Sequence, residues 1–518
     1  MLTSVELLKL PVELRGKVES LGGKVEKLEE RLKFSEFKVK ALEAELRLER
    51  IRKYGPASEA LNDAQLQLLD SEPGVNPREI QLEAELPEQS KEAAKKVRKP
   101  TRRGVGTLPA ELPRVEEIIP CSEAECTCPN CQGKRDVIGY ETSERLHREP
   151  VRYSVKVIKR EKRACKKCEE GGVQTAALPA QIISKGIGSN ELVVDVLLAK
   201  YELHLPLYRQ EIQIERESKV RLSRQTMSDW MMESGFLLQS ICREIHADLL
   251  GGKVLQADET PVGVQDPKKK GSQHRGYLWE YSRPSGPVLF DYQDGRGRDG
   301  PQKMLRGFRG ILQTDDYAVY GKLHLPGVRH AACMAHVRRK FVEAAKVYEE
   351  DVGLKEILQL IAKLYAIEKE ARETGLDFES RQQLREEKSR AVFAQLKEAI
   401  IGLRAATLPQ SLQGKACQYA MGVWEKLTLF LEEGALEIDN NACENAIRPV
   451  ALGRKNWLHF GSKEAGPNIA AILSVLETCH RLGIKTRDYL LEVLPKLASG
   501  KNHEVGQLTP MAWAAAKA

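Results

Sequence analysis

The sequence predicts an α/β multidomain protein, and three observations lead to that class. The chain has 518 residues, and at roughly 150 residues per domain this length corresponds to three or four domains. Short β-type runs lie between long helical patterns, at Lys253–Gln256, Gly276–Ser282, Val288–Tyr292, Gly310–Thr314 and Arg329–Cys333. Six of the eleven cysteines fall between Cys121 and Cys168, which is typical of a small metal-binding module ahead of the main domains.

Composition excludes several classes of protein. Hydrophobic residues make up 42% of the chain and charged residues 30%, so the chain can bury sizeable cores and is not a low-complexity polymer. No apolar run approaches the ~18 residues that a membrane-spanning helix needs. The first 14 residues lack the features of a secretory signal. We therefore expect a cytoplasmic protein with reduced thiols and no membrane partner. The net charge of +7 is weak evidence for any partner.

The N-terminal segment, residues 1–55, is predicted to be a coiled-coil helix. Its apolar residues follow steps of three and four over about four heptads, and the set is Val18, Leu21, Val25, Leu28, Leu32, Val39, Leu42 and Leu46. Gly22 and Gly23 weaken this helix by ~1 kcal/mol each relative to alanine. A helix packed on its own domain would show a similar pattern, but we favour self-association into at least a dimer. Residues 56–118 follow as a polar and basic linker, either solvated or in non-specific contact with phosphates.

Residues 119–175 are predicted to be a zinc-binding module. Two CxxC pairs of matched spacing can supply four thiolates to one tetrahedral, structural Zn²⁺. These ligands are Cys128, Cys131, Cys165 and Cys168. Cys121 and Cys126 also lie nearby, and either could replace a ligand. The alternating run at 151–160 between the pairs predicts a strand.

Residues 186–247 are predicted to be helical and to contain a helix-turn-helix. Ser223 is a favourable N-cap residue, and Leu222, Met227 and Trp230 can face the core. The candidates for contact with base edges and phosphates are Arg224, Gln225 and Ser228. The pattern is typical of a recognition helix that enters the major groove. An ordinary helical hairpin with a polar outer face fits the spacing equally well.

Three acidic residues are typical of a divalent-metal site. Asp258 and Asp315 each end a β-type run, and Glu444 lies in the acid- and amide-rich run 437–449. Mg²⁺ prefers hard oxygen ligands, and two Mg²⁺ ions about 3.5–4 Å apart can clamp the attacking and leaving oxygens of a phosphoryl displacement. A strand that ends in aspartate is often only a strand entering a turn, so the interpretation depends on the three acids together.

These motifs, in this order, resemble those of the insertion sequence 66 family of transposases, in its TnpC-type large subunit. The segments that carry the resemblance are Tyr54–Glu59, the two CxxC pairs, Lys200–Gln210, Leu222–Trp230, Ala257–Thr260, Gln313–Tyr317, His330–Phe341, Asp439–Pro449, Gly453–Trp457 and Leu508–Trp513. They extend over nearly the whole chain. The resemblance implies a ribonuclease-H-like catalytic domain of the DDE type at 250–465, with a helical insertion at about 340–432. A C-terminal helical region would occupy 466–518.

The function that the resemblance implies is transposition. The protein would bind the terminal inverted repeats of an insertion sequence in double-stranded DNA, cut a strand, and join the freed 3′-hydroxyl to target DNA. Motif position assigns Asp258, Asp315 and Glu444 to the catalytic site, with two Mg²⁺ ions, or Mn²⁺, as cofactors. The family usually has small accessory proteins from the same element.

The second aspartate motif departs from the family pattern. The family often has Asp-Gly-Tyr, whereas this chain has Asp315, Asp316 and Tyr317. Successive side chains of an extended strand point to opposite faces, so we expect only one of these two aspartates to enter the site. The same rule separates Asp258 from Glu259.

Basic residues near these motifs are candidates for contact with the scissile strand, because arginine forks match phosphate geometry. They are His336, Arg338, Arg339 and Arg448. A solvated basic helix face fits their spacing as well, and Arg448, four residues after Glu444, could instead pair with it. Two other functions fit the sequence. One is a zinc-dependent DNA-binding regulator with an inactive core, and the other is a metal-dependent nuclease that cuts without joining.

Overall fold

The structure, a computed structural model of the chain, describes residues 12–54, 140, 153–164, 173–266, 272–315, 317, 319–500 and 504–517. The linker expected at 56–118, the cysteines expected to bind zinc and Asp316 lie outside the described residues. Two compact units divide the chain. Every helix and strand named below belongs to the larger unit, apart from the last two residues of α3.

The first part of the described chain is mainly helical. Its elements are α1 (Val12–Tyr54), β1 (Lys162–Ala164), β2 (Val173–Thr175), α2 (Asn190–Tyr201), α3 (Leu207–Ser218) and α4 (Arg224–Leu250). β1 and β2 form an antiparallel pair. The strand expected at 151–160 is wrong over its described part, since 153–160 has no regular structure and β1 begins at Lys162.

The second part carries a mixed sheet and the helices around it. The strands are β3 (Val254–Gln265), β4 (Gln273–Ser282), β5 (Val288–Gln293), β6 (Gly310–Thr314), β7 (Val328–Ala332) and β8 (His459–Phe460). The helices are α5 (Asp299–Met304), α6 (Met334–Val347), α7 (Val352–Glu373), α8 (Phe378–Leu384), α9 (Arg390–Ala406), α10 (Leu412–Gly422), α11 (Trp424–Thr428), α12 (Asn441–Trp457), α13 (Gly466–Arg481), α14 (Thr486–Ala498) and α15 (Pro510–Ala515).

Helix α1 presents its heptad residues to solvent. Leu28 and Leu32 are each 60% exposed, and Leu42 and Leu46 are exposed as well. Only the C-terminal part of the described helix packs on the rest of the chain, where Ala44 and Leu48 are buried against Val347. The apolar stripe therefore stays exposed to solvent within the described part of this chain.

Helix α4 begins as the sequence predicts. The Ser223 hydroxyl accepts the Thr226 N–H at 3.1 Å, which satisfies one of the unpaired donors of the first turn. Leu222, Met227 and Trp230 are buried. The helix then continues for 27 residues and packs along α13, where a Cβ on Gly235 would lie 2.5 Å from the Asn468 carbonyl oxygen.

The mixed sheet has the strand order β5-β4-β3-β6-β7, and β8 pairs with the distal end of β3. β4 is antiparallel to β3 and β5, whereas β6 is parallel to β3 and β7 is parallel to β6. The carboxyl ends of β3, β6 and β7 therefore share one direction, and residues that follow these strands meet at the same side of the sheet.

Helix α13 covers the outer edge of β5. The Ser474 hydroxyl accepts the Phe290 N–H at 2.8 Å, and the Thr478 hydroxyl accepts the Val288 N–H at 3.0 Å and donates to its carbonyl at 3.1 Å. Hydroxyls on a helix thus replace the missing strand partner. This arrangement satisfies backbone groups that an open edge would leave available for unwanted pairing.

One apolar core joins the sheet to the helices between β7 and α12. Val254 and Ile311 from the sheet share it with Phe341 of α6 and Ile361 of α7. The buried face of α7 consists of apolar residues at helical spacing, which are Leu354, Ile357, Ile361, Leu364 and Tyr365. The helices between β7 and α12 therefore pack against the sheet rather than extending from it.

Candidate active site

Strand pairing brings the two aspartates to the same level of the sheet. In the parallel pair, Val254 lies opposite Ile311 and Gln256 opposite Gln313, an offset of 57 residues (311 − 254 = 57). The same offset separates Asp258 from Asp315 (315 − 258 = 57). β6 ends at Thr314, so Asp315 follows directly from its carboxyl end.

Burial and neighbouring carboxylates disfavour the charged form of Asp258. The pKa of Asp258 is raised to about 8, with burial as the largest cause and the charges of Glu259, Glu444 and Asp315 as smaller ones. The Glu259 N–H donates to Asp258 Oδ1 at 2.8 Å and acts in the opposite direction. Asp315 Oδ1 accepts the Tyr317 N–H at 2.9 Å. The region therefore holds more negative charge than its protein surroundings neutralise.

Glu444 lies in the first turn of α12, where the positive end of the helix dipole favours a carboxylate. Its Oε1 is 3.7 Å from His336 Nδ1, and its Oε2 is 3.4 Å from Arg339 Nη2. Burial lowers the pKa of His336 below its usual range, against the opposing effect of Glu444. Two of the basic candidates, His336 and Arg339 of α6, therefore lie beside the Glu444 carboxylate.

Glu259 has its own partners. Its side chain is 1% exposed and pairs with Arg296, whose guanidinium also lies 3.6 Å from the centre of the Tyr317 ring. The Tyr320 hydroxyl donates to Glu259 Oε2 at 3.4 Å. Burial raises the pKa of Glu259, and the Arg296 bond opposes that rise. The Glu259 carboxylate is therefore already paired with the Arg296 side chain, unlike the Asp258 carboxylate.

A cysteine lies beside the third acid. The ligand atoms of Cys333, His336 and Glu444 lie within 4.8 Å of one another. Burial holds the pKa of the Cys333 thiol well above its usual range, and its sulfur accepts the Asn440 N–H at 3.2 Å. Of these three groups, the Glu444 carboxylate is the hard oxygen donor that suits Mg²⁺.

The three acids carry oxygen donors, and the charges of Asp315 and Glu444 both act on Asp258. Asp258, Asp315 and Glu444 supply oxygen ligands of the type that Mg²⁺ and Mn²⁺ accept. Glu444 Oε1 is buried and has no hydrogen-bond partner within the described part of the chain. An ion with two positive charges would offset the burial and the repulsion that raise the pKa of Asp258.

Comparison with known proteins gives the family. A model described as "Transposase IS66 family" matches residues 185–468, which is more than half of the chain. The chain belongs to the IS66 transposase family. Two further models of the same family match the N-terminal part. One is described as "zinc-finger binding domain of transposase IS66", at residues 125–169, and the other as "Transposase C of IS166 homeodomain", at residues 41–116.

Two proteins are similar to most of the chain. Uncharacterized protein y4qI of Sinorhizobium fredii (strain NBRC 101917 / NGR234) is 34% identical over 85% of this chain and 82% of its own length. Uncharacterized protein y4jD of the same organism is 32% identical over 81% of this chain and 84% of its own length. Each similarity extends over 435 residues or more, which is longer than the match to the transposase model at 185–468.

The family matches support a DNA-binding transposase with structural zinc and a divalent metal. The match at 125–169 contains both CxxC pairs. None of the described helices of this IS66-family protein is long and apolar enough to cross a membrane.

The remaining candidates lie at two places on this IS66-family protein. Arg224 and Gln225 are exposed at the start of α4, where Arg224 pairs with Glu211 at 3.1 Å and Gln225 donates to Asp229 at 2.8 Å. Ser228 is half-buried one turn later. Arg338 on α6 and Arg448 on α12 belong to the two helices that also carry Arg339 and Glu444.

Sequence reasoning missed two glutamines and one arginine near the acids. Gln256 and Gln313 are buried beneath Asp258 and Asp315, and their amides bond to each other. The sequence carries a signal for them, since Gln-x-Asp occurs in both motifs. Arg296 follows β5 in a glycine-rich loop and has no comparable local signal.

Proposed function

We propose that this chain binds the terminal inverted repeats of an insertion sequence, cuts a DNA strand there and joins it to target DNA. The observation that carries the proposal is the meeting of Asp258, Asp315 and Glu444. They come from two strand ends and one helix start that are far apart in sequence. Burial and the charges of Glu444 and Asp315 both disfavour the charged form of Asp258, which is the condition of a carboxylate that lacks a cation.

We also propose that the catalytic domain is ribonuclease-H-like, with a helical insertion. The strand order β5-β4-β3-β6-β7, with β4 antiparallel to its neighbours, supports this proposal. So does the run of helices α6 to α11 between β7 and α12. In this arrangement the first strand, the fourth strand and the last helix of the core each deliver one acid.

Asp258, Asp315 and Glu444 would hold two divalent ions, Mg²⁺ or Mn²⁺. Bound there, the ions would make a water or a 3′-hydroxyl nucleophilic and stabilise the departing 3′-oxygen. The chain itself would hold the three carboxylates close together in a partly buried site. Asp258 would give up its proton as a cation binds, because the cation would stabilise the carboxylate against the burial and the neighbouring charges that raise its pKa.

Arg339 would contact the phosphate of the scissile strand. Its side chain is 54% exposed while its guanidinium lies 3.4 Å from Glu444, so it can bridge that acid and a phosphate outside. His336, Arg338 and Arg448 extend the same basic surface on α6 and α12. His336 would remain neutral at pH 7, because burial lowers its pKa, and would act as a hydrogen-bonding group.

The parts ahead of the sheet would hold the DNA ends. We propose that the zinc module, with Cys128, Cys131, Cys165 and Cys168 as ligands, and the start of α4, with Arg224, Gln225 and Ser228, grip the terminal repeats. We further propose that α1 forms a coiled coil with a second copy, which would hold two ends in one complex. The exposed heptad stripe of α1 supports this pairing, since isolated apolar stripes of this length are otherwise costly to leave in water.

A cleavage assay tests the proposal. Labelled double-stranded DNA that carries the element's own terminal repeats is incubated with Mg²⁺ or Mn²⁺ and the wild-type protein, or with Asp258→Asn, Asp315→Asn or Glu444→Gln. We expect metal-dependent nicking and joining by the wild type only, and unchanged DNA binding by all four proteins. Asp294→Asn is a matched control, since that acid is 59% exposed and bonds to the Tyr292 hydroxyl.

The outcomes separate the alternatives. Cleaved ends without joined product would indicate a nuclease. Binding without nicking, with the neighbouring accessory proteins added, would indicate a regulator with an inactive core. Activity in Asp315→Asn would refute the assignment of the second acid and direct attention to Asp316.

A further inference from the structure

Two buried glutamines occupy equivalent positions beneath the two aspartates. Gln256 and Gln313 each precede an aspartate by two residues, and they lie opposite each other in the β3–β6 pair. Because strand side chains alternate, Gln256 lies on the same face of β3 as Asp258, and the strand pairing places Gln313 beside Gln256. Gln256 is 0% exposed and Gln313 is 1% exposed. Buried amides of this kind require partners for their polar atoms.

Their partners lie in the segment that leads to the third acid. The Gln256 amide donates to Gln313 Oε1 at 2.8 Å and to the Asp439 carbonyl at 3.0 Å. The Gln313 amide donates to the Glu437 carbonyl at 2.8 Å. The orientation of both amides follows from these partners, since backbone carbonyls only accept hydrogen bonds. The two side chains thus tie the strands to each other and to residues 437–439.

The next residues of this segment are held as well. The Ile438 carbonyl accepts the Met334 N–H at 3.1 Å. Asn440 donates from its amide to the Ala257 carbonyl at 3.2 Å. The Asn440 backbone carbonyl accepts the Glu444 N–H at 3.1 Å. A continuous set of hydrogen bonds therefore runs from the residue before Asp258 to the backbone of Glu444.

We propose that Gln256 and Gln313 are positioning residues that set the distance of Glu444 from Asp258 and Asp315, and so tune the affinity of the site for divalent cations. The inference rests on the proposed function, because it takes these three acids as the metal ligands. The amides touch neither metal nor DNA. They act through residues 437–440, whose backbone continues into α12.

The chemistry of the amide explains why other residue types would not serve. Each glutamine must donate to a backbone carbonyl, and Gln313 must also accept from Gln256. An apolar side chain of similar length, such as methionine, fills the volume but leaves the carbonyls of Glu437 and Asp439 without a donor. The segment would then shift toward other donors, and Glu444 would move with it.

The test measures metal binding directly, with Mn²⁺ as the probe and electron paramagnetic resonance as the readout, on the full-length, zinc-loaded chain. The variants are Gln256→Met and Gln313→Met, and Asp258→Asn identifies which Mn²⁺ belongs to the site. We expect each methionine variant to bind this Mn²⁺ about 10- to 100-fold more weakly, the range seen when outer-shell partners of metal ligands are removed. The Mn²⁺ concentration for half-maximal cleavage should rise by a similar factor, with much of the rate recovered at saturating Mn²⁺.

Gln239→Met is the matched control. Gln239 is a half-buried amide on α4 that donates to Asn468 Oδ1 at 2.7 Å, away from the three acids. It should lower the thermal midpoint without changing Mn²⁺ affinity. If Gln313→Met does not fold, Gln256→Met carries the test, because it leaves the Gln313–Glu437 bond in place.

The outcomes distinguish the inference from the function on which it rests. The positioning role would be overturned if both methionine variants kept the wild-type Mn²⁺ affinity while Asp258→Asn abolished the site. The proposed function would then remain intact. A wild-type protein without any Mn²⁺ site that depends on Asp258 would overturn both.

Discussion

The buried guanidinium of Arg385 leads to a quantitative prediction for the helices between β7 and α12. Arg385 is 0% exposed and donates five hydrogen bonds. Two go to the Glu368 carboxylate at 2.8 Å each, and three go to the carbonyls of Phe430, Glu433 and Leu436 at 2.9, 2.8 and 2.8 Å. An arginine has five N–H donors, so all of them are used.

The perturbation is Arg385→Lys, which keeps the charge. A lysine has three donors, so at least two of the five bonds are lost. Each buried acceptor left without a donor costs roughly 1–3 kcal/mol, which gives about 2–6 kcal/mol for this substitution. Glu368 keeps its pairing with Arg381, whose Nε donates to it at 2.9 Å, so the loss falls mainly on the carbonyls at 430–436.

Native-state hydrogen exchange measures this loss locally, which suits a large chain that need not unfold in one step. A loss of 2 kcal/mol corresponds to amide exchange about 30-fold faster in peptides from α9 and from residues 424–436. Lys388→Met is the control. Its partner Glu370 lies 2.6 Å away, but the two side chains are 45% and 47% exposed, and exposed pairs contribute about 1 kcal/mol or less. Equal exchange in the two variants would refute the reasoning.

Three other predictions concern separate parts of the chain. Burial raises the pKa of Glu280 from 4.5 to about 7, so its contribution to stability is complete below pH 4.5 and is lost as the pH rises through 7. The thermal midpoint of Glu280→Gln should therefore rise relative to that of the wild type between pH 5 and 8. A constant difference between the two midpoints over this range would contradict the raised pKa. The double variant Leu28→Glu, Leu32→Glu should convert dimers to monomers, as measured by light scattering. Its thermal midpoint should change little, because both side chains are 60% exposed in one chain. An unchanged mass would argue against the coiled coil. Cys128→Ser should lower the zinc content and weaken binding to the terminal repeats, and unchanged zinc content would move the ligand to Cys121 or Cys126.

Local patterns were sufficient to locate most elements of the fold. The five β-type runs predict strands that the structure places within a few residues of the expected ends, except that β3 continues to Gln265 and β4 begins at Gln273. Ser223 predicts the start of α4, and its hydroxyl caps that helix. These features depend on side-chain alternation and on short-range hydrogen bonds, both of which the sequence displays directly.

Contacts between distant segments had no such local signal. The two-residue strand β8 is too short to produce a pattern, and its pairing with Gly263 and Val264 follows only from the path of α12. The 27-residue length of α4 reflects its packing on α13, which begins over 200 residues later. The three acids stand out in the sequence at two strand ends and in one acid-rich run, but their assignment to one catalytic site came from the family resemblance, because nothing in the sequence alone states that β3 and β6 are neighbours.

The alternation rule succeeds at one pair of acids and has no force at the other. Asp258 and Glu259 lie inside β3, which continues to Gln265, so the rule applies, and Glu259 has partners of its own in Arg296 and Tyr320. β6 ends at Thr314, and Asp315 is already in a bend where its Oδ1 accepts the Tyr317 N–H. Strand alternation therefore does not choose between Asp315 and Asp316. The charge of Asp315 contributes to the raised pKa of Asp258, which supports its assignment to the site. Comparing Mn²⁺ affinity in Asp315→Asn and Asp316→Asn tests the assignment, because Asp315→Asn should weaken Mn²⁺ binding strongly and Asp316→Asn should not.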